Sequence, residues 1–78
     1  MELNDFVKNF AEQFDDTDMS EFSAGTAFRT IGEWSSLIAL NIIAMIDDEY
    51  NVQVKADDIR SSTTIEDLFN IVKTKMQQ

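Results

Sequence analysis

Residues 34–50 read Trp34-Ser35-Ser36-Leu37-Ile38-Ala39-Leu40-Asn41-Ile42-Ile43-Ala44-Met45-Ile46-Asp47-Asp48-Glu49-Tyr50, and the reading of this stretch decides the fold. No Gly or Pro interrupts it, and serine is a favoured helix N-cap, so the spacing predicts a helix from Ser35 or Ser36 to about Tyr50. The apolar run inside it, Leu37 to Ile46, is broken by Asn41 and is about half of the roughly 20 residues needed to cross a bilayer. The helix therefore belongs to a packed core. On a helical wheel Ala39, Ile42, Ile43, Ile46 and Tyr50 fall on one side, which is expected to be buried. Leu37, Ile38, Asn41, Met45 and Asp48 fall on the other. That second side is apolar where a lone bundle prefers polar groups, so it is expected to form a partner-docking surface rimmed by Asp47, Asp48 and Glu49.

Working outward, Leu3, Phe6, Val7, Phe10 and Phe14 recur at spacings of three and four, which predicts an amphipathic helix from about Leu3 to Phe14. The segment Asp15–Ser35 has no steady period, contains Gly25 and Gly32, and at about 20 residues is long for a connection in a compact domain. It is expected to be a long ordered loop with room for one helical turn, anchored by Met19, Phe22, Phe28 and Ile31. Downstream, Val52 and Val54 lie in a few extended residues, and Ala56–Arg60 can form one short helical turn. A final helix is expected from Thr63 or Thr64, with Thr64 and Asp67, or Thr63 and Glu66, spaced as a capping box. Ile65, Leu68, Phe69, Ile71 and Val72 supply its buried face. No alternating strand pattern competes, so the expected architecture is all-α: a single domain over residues 1–78 with three longer helices, one short helix and one long loop between the first two.

Composition narrows the function. The chain has 78 residues, no Cys and no His, which removes disulfides, thiolate metal sites and the Ser/His and Cys/His arrangements of nucleophilic catalysis. An enzyme acting alone is not expected. Fifteen acidic against six basic residues give a formal charge of −9, so a nucleic-acid backbone would be repelled. Met1-Glu2-Leu3-Asn4-Asp5 lacks the basic start and apolar stretch of a signal peptide, and the expected location is the cytoplasm. The expected oligomeric state is a monomer. Asp16, Asp18 and Ser20 resemble the start of a calcium loop, but Glu21 stands where that loop requires Gly and Ala27 where it requires Glu. No metal site is expected.

Trp34-Ser35-Ser36-Leu37 resembles the Asp-Ser-Leu attachment motif of the acyl carrier protein family, which opens the second helix of that fold. Asp47-Asp48-Glu49-Tyr50 resembles the family's acidic patch, Asp57-Asp58-Ile59 its short third helix, and Thr63-Thr64-Ile65 the start of its fourth. The order and spacing from Ser36 to Ile65 fit without a gap. Ser35 replaces the usual Asp, and Gly32 lies one residue further from Ser36 than the family's Gly. The family usually has acidic residues at the positions of Ile38 and Asn41. The resemblance implies a four-helix acyl-carrier bundle bearing 4′-phosphopantetheine, derived from coenzyme A, on Ser36. It further implies attachment by a phosphopantetheinyl transferase, and acyl-loading and acyl-processing enzymes of fatty acid, polyketide or related synthesis whose basic patches dock on the acidic helix.

Independently of the family, a phosphodiester on Ser36 would sit beside unpaired N–H groups at the positive end of a helix. A capping serine pair with no modification is the plain alternative. So are an amino-acyl or peptidyl carrier and an unmodified interaction module. Ala39, Ala44 and the isoleucines of the second helix are expected to line a core that can shelter an attached chain.

Overall fold

A computed structural model describes residues 2–77. Among these, α1 spans Leu3–Ala11, α2 Ser36–Tyr50, α3 Ala56–Arg60 and α4 Ile65–Met76, with no strands. α1 ends three residues before the sequence pattern does. There the amides of Gln13 and Phe14 reach back only three residues, to the carbonyls of Phe10 and Ala11 at 3.1 and 3.0 Å, and the last turn tightens. Phe14 nonetheless stays buried, and Phe6, Phe10 and Ala11 complete the stripe that α1 turns inward.

Phe6 meets Phe69 of α4 edge-on at 5.6 Å and Tyr50 of α2 at 5.7 Å, so one ring joins the three long helices. The Asn9 amide donates to the Tyr50 hydroxyl at 2.9 Å and fixes the far end of α2 to α1. α4 buries Ile65, Leu68, Phe69 and Val72, while Ile71 lies half-buried at the edge. Its start uses the Thr64 capping box: Thr64 Oγ1 accepts from the Asp67 N–H at 3.1 Å. One Asp67 carboxylate oxygen accepts from the N–H groups of both Thr63 and Thr64 at 3.0 Å, which displaces the alternative box built on Thr63 and Glu66.

The loop from Glu12 to Ser35 holds two 3₁₀ turns, Met19–Glu21 and Phe28–Thr30, one more than its sequence suggests. Phe28 is fully buried, 5.3 Å from Phe10 and 5.0 Å from Trp34, and Phe22 packs 4.9 Å from Phe14. Met19, expected as an anchor, is 49% exposed, because its 3₁₀ turn rises off the bundle and only Phe22 at its end turns inward. Polar side chains do the rest of the ordering. Asp18 accepts from the Ser20 N–H at 2.9 Å, and the Thr26 hydroxyl donates to the Glu21 carbonyl at 3.1 Å while accepting from the Ser23 N–H at 2.9 Å. The carbonyls of Ala24 and Thr26 accept from the amides of Glu66 and Ile65, at 2.9 and 3.2 Å. Those amides belong to the first turn of α4, which has no helical partners for them.

After α2 the chain turns at Asn51, which takes the left-handed conformation (φ 55°, ψ 40°) that closes many helices and that Asn tolerates. Val52 and Val54 then point into the core, and Ile59 does so from α3. Ser62, fully buried, donates to the Asp58 carbonyl at 2.9 Å. The Asp58 carboxylate accepts from the Lys55 N–H at 2.8 Å and lies 3.6 Å from Lys75 Nζ, holding α3 against α4. No helix among the described residues is long and apolar enough to cross a membrane.

Candidate functional site

The N-terminus of α2 is built from both sides. Trp34 packs half-buried against Phe28 and Phe14, so the chain reaches Ser35 from a fixed aromatic platform. Ser35 is extended, and its hydroxyl accepts from the Ile38 N–H at 3.3 Å, while its carbonyl accepts the first helical bond, from the Ala39 N–H at 3.0 Å. Ser36 is thus the first residue of the helix and its side chain is exposed. No acidic residue stands in this first turn, so the positive end of the helix is not offset by a carboxylate of its own.

Ser36 borders a groove of about 380 Å³ between α2, α3 and the second 3₁₀ turn. Its walls are mostly apolar, with Ala39, Leu40 and Ile43 on one side and Ala56 and Ile59 on the other. Arg29 and Arg60 stand among its lining residues. Arg29 donates from one guanidinium nitrogen to the Arg60 carbonyl at 2.9 Å and lies 6.0 Å from the Phe28 ring centroid. Arg60 forms an ion pair with Asp57. Ala39 lies in this lining, whereas Ala44 is exposed on the other side of α2, away from the groove.

The structure corrects the expected faces of α2. Ile38 and Met45, assigned to the outer side, are only 7% exposed and belong to the core with Ile42 and Ile46. The four follow the i, i+4, i+7, i+8 rule of one buried stripe. Because α2 is apolar almost all round, a helical wheel allows more than one centre for that stripe, and the true one lies a sector away from the expected one. Ala39, Ile43 and Tyr50 flank the core half-buried. Leu37 is exposed as expected, at 66%, and Leu40, absent from the expected surface, is 62% exposed. Leu40 stands one turn beyond Leu37, so the same spacing argument could have found it.

At the opposite end of α2, Asn41, Met45, Asp47, Asp48 and Glu49 line one shallow depression with Gln13 of the α1 end, Met45 forming its floor. The structure therefore brings five of the seven expected docking residues together; Leu37 lies nearer Ser36, and Ile38 is inside. Asp47, Asp48 and Glu49 are exposed and no basic residue stands in this last turn, where the helix dipole favours cations. The three carboxylates are an electrostatic cost to the free chain that a cationic neighbour would relieve.

Two groups behind the site are shifted from their ordinary ionisation. Partial desolvation pushes Glu33 upward, but the Thr17 hydroxyl and the backbone amides of Asp15 and Asp16 donate to its carboxylate and hold it below the usual range. Burial pushes Tyr50 up, the Asn9 amide opposes this, and the charges of Asp5 and Glu49 add to the rise. Among the described residues no cluster of three or more acidic side chains is arranged to hold a metal ion. Asp18, part of the calcium-like stretch, instead accepts hydrogen bonds from Ser20, which lower its ionisation range.

What the geometry defines is a small all-α bundle with an exposed serine at the start of its second helix, an apolar groove on one side and an acidic depression beyond. The chain matches no protein-family model and no curated protein.

Proposed function

We propose that the chain is an acyl carrier protein: Ser36 bears a 4′-phosphopantetheine arm that tethers acyl thioesters and presents them to partner enzymes of fatty acid, polyketide or related synthesis. The observation that carries this reading is Ser36 itself, an exposed hydroxyl on the first residue of α2, beside backbone N–H groups that can donate to a phosphate and at the mouth of an apolar groove.

Attachment is a phosphoryl transfer performed by another protein, because the chain holds no His or Cys to activate the serine. The transferase removes the Ser36 proton, the Oγ attacks the phosphorus that carries the pantetheine, and the pyrophosphate bond of coenzyme A breaks to release adenosine 3′,5′-bisphosphate. The carrier is the substrate in this step. In later steps it acts as a tether, its acidic α2 end drawing basic patches of loading and processing enzymes toward Leu37, Leu40 and Ser36.

The test is to incubate the chain with coenzyme A, magnesium and a permissive phosphopantetheinyl transferase, and to weigh it. Wild type and Ser35→Ala are expected to gain the mass of one arm and Ser36→Ala to gain nothing. Failure of wild type with several transferases removes the proposal, and leaves the fold as an unmodified interaction module. Loss in Ser35→Ala with retention in Ser36→Ala moves the attachment to the preceding residue.

A further inference from the structure

We infer that Arg29 is a positioning residue for the arm: its guanidinium holds the phosphodiester on Ser36, so that the branched first carbons of the arm lie in the groove between α2 and α3. The inference rests on Ser36 carrying the arm.

Positive charge is scarce in this molecule and unevenly placed. The chain has only six basic residues against fifteen acidic ones, and two of the six, Arg29 and Arg60, line the groove that Ser36 borders. They are not equivalent. Arg60 is neutralised by Asp57. Arg29 is held by a single donated bond to the Arg60 carbonyl and by its place over the Phe28 ring, and among the described residues no carboxylate is in ion-pair contact with it. An arginine has five N–H donors in a planar fork, so several remain directed away from the one bond it makes. A phosphodiester offers two anionic oxygens that match that fork.

The apolar lining fits the carbons nearest the phosphate. In pantetheine these are a methylene and a quaternary carbon with two methyl groups, a compact apolar unit a few ångströms from the phosphorus. Ala39, Leu40, Ile43, Ala56 and Ile59 give a surface of that character beside the arginine. An anionic group and a branched apolar group at adjacent positions thus meet a free guanidinium and an aliphatic wall at adjacent positions. The Phe28 ring, itself buried between Phe10 and Trp34, keeps Arg29 in register with the start of α2.

The experiment uses the full chain in apo and holo form, as wild type, Arg29→Gln and Arg29→Lys. Mass confirms the arm on each holo sample, and the amide spectra of the apo samples report whether the bundle is intact. The readouts are the ³¹P resonance of the phosphodiester and cross-relaxation between the arm's twin methyl groups and the methyls of Ile43 and Ile59. In wild type the ³¹P resonance is expected to be displaced from that of free methyl pantetheine phosphate, to relax toward it as salt is raised, and the methyl contacts are expected to be present. In Arg29→Gln the displacement and the methyl contacts are lost; Arg29→Lys keeps part of the displacement, as a point charge without the fork. An arm that attaches to all three proteins with the same ³¹P position and the same methyl contacts overturns the role of Arg29 and leaves the carrier reading standing. No arm on Ser36 in any of them overturns both.

Discussion

α1 and the loop after it bury the same kind of side chain by different means. α1 carries Phe6 and Phe10 into the core on a regular helix, whose backbone bonds satisfy themselves and whose 3.6-residue period aims both rings at once. The loop carries Phe22 and Phe28 into the same core on an irregular path, and its backbone is satisfied one group at a time by Asp18, Thr26 and Glu33. Depth of burial is therefore no guide to regularity. What differs is the number of side chains on which the order depends.

If the loop is as much a part of the core as the helix, Phe28→Ala should cost as much as Phe10→Ala, about 3–5 kcal/mol, read from urea unfolding. A cost for Phe28→Ala under about 1 kcal/mol, the size of a surface change, would break the comparison and make the loop an accessory. A smaller effect sharpens it. Thr64→Ala removes the side-chain cap of α4 and should cost about 1 kcal/mol, with the loss read in the same unfolding experiment. The smallest effect concerns Glu33, which ties residues 15–17 at one end of the loop to residue 33 at the other. Its folded pKa lies below its ordinary value of 4.5, so its contribution is fully present above that pH and is lost as pH falls through the lower folded value. Glu33→Gln should lower the neutral-pH midpoint slightly and flatten the acid limb of stability below about 4.5, so that variant and wild type converge as the pH falls. An unchanged acid limb would show that the loop closes without this carboxylate.

The same contrast explains which parts of the molecule could be read from the chain. α1 and α4 announce themselves by period, and the starts of α2 and α4 by Ser35 and Thr64, because period and capping are local. The brief turn at Ala56–Arg60 is legible for the same reason. α2 is legible as a helix but not in its orientation: with apolar residues on nearly every side, only the packed partners decide that Ile38 and Met45 face in and Leu40 faces out. Ser36 can be found because its neighbours in sequence define its setting. The groove beside it cannot, since Arg29, Trp34, Ala56 and Ile59 come from separate segments that only the fold brings together. Glu33 gives no signal either; an acid in an acidic loop looks the same whether it faces water or three donors.

The two bonds by which Ala24 and Thr26 receive the first amides of α4 join positions roughly forty residues apart, in a chain whose helices otherwise form through near neighbours. They set an order of events. The helices can flicker into existence singly and early, but the start of α4 reaches its final pairing only when the loop has come to rest on it, and the loop comes to rest only where α1 and α4 already offer a surface. Trp34 and Ser36 lie at the far end of that same loop, so the setting of the serine is held by contacts between distant parts of the chain and not by α2 alone: whatever loosens the loop's grip on α4 also loosens the address at which the serine is offered.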